Sequence, residues 1–403
     1  MFRPYIKRTS ILVLIAAINL LLVYLSYISY EFEPSSNYEM KIKASKIMRE
    51  ALDATKEYSG NIANNAIKNS SLSYDRFETG LIGIDSTSSS MTTKKGSLYS
   101  KVAVTNPNFS ALFIELFSEI DSALVDTQTM DTIAVSYTGS FPGANIALLS
   151  ACKAANIYPV IISSIGSSSW GANQIDMTWA HIENYLFNKL FKFRSIGFSL
   201  GGDQDIAEEL DKEIRESLKT KIISNDYNII ESSSLIESID KRMKLYNTKV
   251  KNYKAYVSIG GSAASLGDST TMKMFLPGLS YQKDSDIEEA ISNALDEDLI
   301  DQDINRIVPV IQKFVDELNI PVINIRNINN LCDWYDLPYS DDAYNSLNME
   351  VGFGELFGVR TAHHRLVVWL CLLISLSTLI WVVVSSISQV NKKMEEIHNE
   401  PIE

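Results

Sequence analysis

Thr132-Ile133-Ala134-Val135-Ser136-Tyr137-Thr138-Gly139-Ser140-Phe141-Pro142-Gly143-Ala144-Asn145 is the stretch whose reading decides the fold. It starts as a β-branched run, passes through a tight polar turn and opens an apolar helical pattern from Ile146 to Ala155. That order reads as strand, turn, helix. In an open α/β sheet such a junction lies at the carboxyl edge of the strands, where ligands bind. Backbone N–H groups at the start of the following helix suit an anion.

Working outward, the same alternation repeats. Tyr158–Ser163, Ser195–Leu200, Tyr227–Ile230, Ala255–Ile259 and Ile320–Ile325 read as strands. Gly143–Asn156, Met177–Phe193, Ile206–Lys219, Leu235–Tyr246, Ile287–Ala294 and Ile304–Leu318 read as helices. Strands spaced by helices predict a doubly wound, mostly parallel, Rossmann-like α/β sheet with right-handed crossovers.

The flanks carry membrane signals. Thr9–Tyr30 is nearly uncharged and follows Arg3, Lys7 and Arg8; Leu366–Val390 is a second apolar run, followed by Lys392 and Lys393. Each is long enough for a bilayer, which takes about 20 apolar residues. Tyr24, Tyr27 and Tyr30 form an interfacial belt and no small-residue cleavage site follows, so the first span reads as an uncleaved anchor. The basic residues before it place both termini in the cytoplasm and the body outside. The expected divisions are a tail (1–10), a span (11–30), a helical stalk (31–79), an extracytoplasmic α/β body (80–361), a span (366–390) and a tail (391–403).

The chain has 403 residues, 46% of them hydrophobic, and a net charge of −13. That composition supports a real core. The charge argues against nucleic acid as a partner, and anions must be held by locally aimed donors. Three cysteines without a C-x-x-C pair and four scattered histidines indicate neither a disulfide framework nor a metal centre, and no motif calls for a cofactor.

Four strand-end loops share one composition. They are Thr138–Asn145, Ser163–Asn173, Ser199–Asp205 and Ser258–Asp268, and the first two share a Gly-Ser start and a Gly-Ala-Asn end. In a parallel sheet all four emerge at one edge. Glycine lets the backbone approach a ligand, and Ser, Thr and Asn supply neutral donors. Thr138, Gly139, Ser140, Asn145, Ser167, Asn173, Gly202, Asp203, Gly261 and Ser262 are the candidate ligand-binding residues. The bland alternative is that these are ordinary caps and Asx-turns. Ser140 is a candidate nucleophile, but the one histidine available as its base, His181, falls inside a helical segment. Asp203 and Asp205 read either as a carboxylate pair for acid–base work or as helix caps, and Asp268 shares that ambiguity. Trp170 is either a stacking lid or a loop anchor. The Ser/Thr-rich section Asp85–Gly96 reads as a flexible connector, with a site-lining loop the alternative. No P-loop or G-x-S-x-G elbow is present.

Taken together, several pieces of this chain resemble the bacterial poly-gamma-glutamate system protein family. They are Gly80–Gly83, Thr105-Asn106-Pro107-Asn108-Phe109, Gly139-Ser140-Phe141-Pro142, Ser163-Ser164-Ile165-Gly166, Trp170-Gly171-Ala172-Asn173, Thr178-Trp179, Ser199-Leu200-Gly201-Gly202 and Gly260–Gly267. The resemblance covers about Gly80 to Leu279, and the two spans fit the family's layout. It implies an accessory membrane component of poly-gamma-glutamate synthesis or export. The implied partners are the polymer or its synthase subunits, with membrane lipid around the spans. It assigns no reaction. Where the family's glycine run near Gly201 is longer, here only two glycines precede Asp203. The enzymatic alternative is an extracytoplasmic hydrolase or amide-transferring enzyme using Ser140 or Asp203 and Asp205.

Overall fold

The computed structural model describes residues 9–62, 74–267, 269–280 and 307–398. The expected Ile287–Ala294 helix and Asp268 lie outside them. Contacts divide the chain into two units, Ser36–Phe357 and the paired flanks Met1–Ser35 with Gly358–Glu403.

The Ser36–Phe357 unit is mixed α/β around a six-stranded sheet. Its strands are β1 (Thr132–Thr138), β2 (Tyr158–Ser164), β3 (Gly197–Ser199), β4 (Tyr256–Ile259), β5 (Gly278–Ser280) and β6 (Val322–Ile325). They lie in the order β5–β6–β4–β1–β2–β3, all parallel except β5, which runs antiparallel to β6. β1, β3, β4 and β6 are almost wholly buried, which is why their sequences are apolar runs rather than alternations. The twofold period of the strands sends neighbouring side chains to opposite cores. Ile133, Val135, Tyr137, Ile161, Val257 and Ile323 join one cluster; Ala134, Val160, Ile162, Tyr256 and Val322 join the other.

The first cluster is closed by α1 (Tyr38–Ile62), α3 (Phe109–Ile120), α4 (Pro142–Ala155) and α5 (Trp179–Leu186). A short helix, α2 (Leu98–Ala103), lies between α1 and α3 in the chain. The second is closed by α6 (Leu235–Lys249) and α7 (Val310–Asp316). Pro142 at the first turn and Asn156 in the left-handed conformation (φ 58°) bound α4. Nearly all of α4 is buried because α1 and α3 cover its far side. α1 is therefore a layer of the body, not a stalk: Ala44, Ser45, Met48, Ala51, Leu52 and Thr55 lie on its buried stripe, and the small Ala44, Ser45 and Ala51 let α4 come close.

Other boundaries also shift. Met177–Thr178 pairs with Asn173–Gln174, and Thr178 then caps α5 with His181, so the helix starts at Trp179. Gln204, Asp205 and Ala207 have positive φ (54°, 62° and 52°), which postpones the next helix to Lys212–Ser224. Tyr227–Ile230 contributes a single bridge, Phe198 to Ile229, beside β3.

The other unit holds two helices long and apolar enough to cross a membrane, Ser10–Ile28 and Arg365–Lys392. Within it, Tyr30–Pro34 pairs antiparallel with Gly358–His363. Asn19 joins the helices: its Nδ2 donates to Thr378 Oγ1 at 3.1 Å and its Oδ1 accepts from Ser375 Oγ.

Candidate functional site

The chain runs β1 to β2 to β3 in one direction across the sheet, and β4 then pairs on the other side of β1. At that reversal the strand-end loops diverge and leave a crevice. Here it is a cavity of about 390 Å³. Thr138, Ser140 and Phe141 reach it from β1; Ser164, Gly166 and Ser168 from β2; Gly201 and Gly202 from β3. Gly261 and Ser262 line it after β4, and Asn327–Asn329 after β6. The four similar loops do meet.

They are stapled to one another. Gly139 N–H donates to Ser164 O (3.0 Å) and Gly166 O (3.2 Å), and Gly166 N–H donates to Leu200 O (2.9 Å). Ala172 N–H and Ser167 Oγ both donate to Gly139 O, at 2.8 and 3.0 Å. A Cβ on Gly139 would stand 2.9 Å from Ile165 O, so only glycine fits. Ser140 N–H is taken by Thr138 Oγ1 at 3.3 Å. These backbone donors are spent inside the turns.

Much of the remaining wall comes from the end of the section read as a connector and from the short helix after it, with Tyr339 also on the lining. Thr92–Lys94 pairs in parallel with Ser167–Ser168, and Ser97 Oγ accepts Ser100 N–H to start α2. Thr93–Ser97, Ser100 and Lys101 thus line the cavity. Asn173 holds this section: it accepts Ile84 N–H at 3.0 Å and donates to Ile84 O (2.7 Å) and Thr92 Oγ1 (2.9 Å).

Lys101 is the feature sequence reasoning missed. It is 1% exposed, yet no carboxylate pairs with it among the described residues. Its Nζ donates to Ser140 O and to Ser168 Oγ (2.9 Å) and lies 3.5 Å from the centre of the Phe141 ring. Burial pushes its pKa well below the ordinary lysine value. Lys94 and Lys95 are exposed on the same lining, and Lys94 has Asp203 at 3.7 Å. Among the described residues no Asp or Glu lines the cavity. Ser262 Oγ, in a residue 5% exposed, has no hydrogen-bond partner among the described residues.

The other expected residues lie away from the lining. Asn145 is fully buried and donates to Thr138 O at 3.0 Å, fixing the turn. Asp205 is buried against Arg242 (2.9 Å) and accepts from Ser199 Oγ (2.8 Å) and Ser238 Oγ (2.5 Å). Asp203 is exposed, so the two carboxylates do not act as a pair on one site. His181 is held by Thr178, and burial lowers its pKa to about 4. Trp170 anchors its loop through Gly83 and Ile84 and packs on Tyr74 (4.7 Å). Cys152 and Cys332 are buried free thiols, the latter pushed up to about 12 by desolvation. Comparison with protein-family models, curated proteins and solved structures gives no match for this chain.

Proposed function

We propose that the chain is a membrane-anchored accessory component of poly-gamma-glutamate synthesis or export, whose body binds glutamyl carboxylates in the sheet-edge cavity. One observation carries the binding: in a chain of net charge −13, the cavity lining holds Lys94, Lys95 and Lys101 and, among the described residues, no carboxylate. The exposed cations Lys94, which has the exposed Asp203 at 3.7 Å, and Lys95, beside neutral hydroxyls, favour an anion over a neutral or cationic ligand. The polymer follows from the motif resemblance described above. The order β3–β2–β1–β4 and the ligand crevice at its reversal support the Rossmann-like reading. Arg3, Lys7 and Arg8 before the first span support cytoplasmic termini and an extracytoplasmic body. The enzymatic alternative through Asp203 and Asp205 has less support, because Asp205 is committed to Arg242.

Titration calorimetry of the full chain in detergent with short γ-glutamyl oligomers tests the reading. The expected result is micromolar or weaker binding that falls with salt and is lost in Lys94→Glu/Lys95→Glu. Equal binding of an oligomer with amidated carboxylates would overturn it.

A further inference from the structure

The geometry points to Ser168 and Lys101 as a nucleophile–base pair for acyl transfer on a small amide or ester whose acyl part carries a carboxylate. The carboxylate rests on the anion-binding reading; the pair itself does not. Ser168 lines the cavity and its Oγ lies 2.9 Å from Lys101 Nζ, within direct proton-transfer reach. Lys101 is pinned by Ser140 O, and Ser168 is oriented by its N–H to Ser140 Oγ at 3.0 Å. A lysine serves as a base only when neutral. Here it is buried, faces Ser140, Ser168 and the Phe141 ring, and has no ion-pair partner among the described residues. Desolvation lowers its pKa. Lys94, Lys95 and Tyr339 are the other titratable groups of the cavity lining among the described residues. The Ser262 hydroxyl, without a hydrogen-bond partner among the described residues, is a neutral donor for a developing oxyanion.

The chemistry balances without a redox partner. Neutral Lys101 takes the Ser168 Oγ proton as Oγ bonds to the carbonyl carbon. The tetrahedral adduct collapses, the carbon–nitrogen or carbon–oxygen bond breaks, and the leaving group takes the proton from Lys101. Water then gives its proton to Lys101 and its oxygen to the acyl carbon, and Ser168 Oγ leaves and regains a proton. The net change is hydrolysis.

The test uses the full chain in detergent micelles with a fluorophosphonate probe, read by intact mass and peptide mapping. The expected result is one adduct on Ser168, absent in Ser168→Ala and slowed at least about 100-fold in Lys101→Met. Lys101→Arg, which keeps the cation but cannot deprotonate, should fail equally, and thermal unfolding verifies that each variant is folded. The wild-type labelling rate should rise with pH as Lys101 loses its proton. An unlabelled wild type, an adduct on Ser140, or wild-type rates in folded Lys101→Arg would overturn the pair. Oligomer binding measured separately on Ser168→Ala distinguishes the two readings. Binding retained with an unlabelled wild type removes the pair alone; labelling without any oligomer binding removes the carboxylate specification alone.

Discussion

Replacing Arg242 by Met tests whether Asp205 is structural. The two side chains are 1% and 0% exposed, and the guanidinium contacts both carboxylate oxygens while its NH2 also reaches Ser164 and Ser199. Removing the cation leaves a buried carboxylate held only by serine hydroxyls. Breaking such a pair costs about 3–5 kcal/mol. At about 2 °C per kcal/mol for a large domain, thermal unfolding should fall by roughly 6–10 °C. Fluorescence of the fully buried Trp179 reports it. Asp205→Asn should destabilise too, and the double variant should lose less than the sum, with a coupling of about 1–3 kcal/mol. A cost for Arg242→Met below about 1 kcal/mol, or strict additivity, would refute the argument. So would an Asp205→Asn that unfolds like wild type but loses binding or turnover, since it would make Asp205 a working site residue.

Three further outcomes follow from the same geometry. Gly139→Val should cost about 1–3 kcal/mol and abolish ligand binding, because its Cβ meets Ile165 O; Gly261→Ala should fold like wild type, with open space around its Cβ, as unfolding curves and calorimetry will show. Lys101 binds a proton more weakly folded than unfolded, so stability should rise as pH climbs from its depressed value toward 10.5; Lys101→Met should flatten that slope in pH-dependent unfolding. Asn19→Leu removes two interhelical hydrogen bonds and should lower resistance to SDS-titrated unfolding by about 1 kcal/mol.

The sheet was legible because each long strand is an apolar run buried on both faces, such as Val322–Ile325. The site's location was legible too, since the Gly and Ser loops follow those strands. What stayed hidden depends on pairings distant in sequence. Thr92–Lys94 becomes part of the site only by pairing with Ser167–Ser168. Lys101 sits in a six-residue helix, and a lone lysine there carries no sign that it will be desolvated. Asp205 looked like half of a carboxylate pair because its true partner, Arg242, lies 37 positions away. The charged, small-residue α1 read as a stalk because its apolar stripe is modest; Ala44 and Ala51 bury little area each but permit close helix packing.

The most direct test of the central claim is to locate a bound oligomer. A short γ-glutamyl oligomer bearing a photoreactive group, crosslinked to the full chain and mapped by mass spectrometry, should mark residues 93–101, 138–141, 201–202, 261–262 and 327–329. The marking should fade with salt and in Lys94→Glu/Lys95→Glu. Crosslinks confined to other surfaces, or unchanged by those substitutions, would contradict the account.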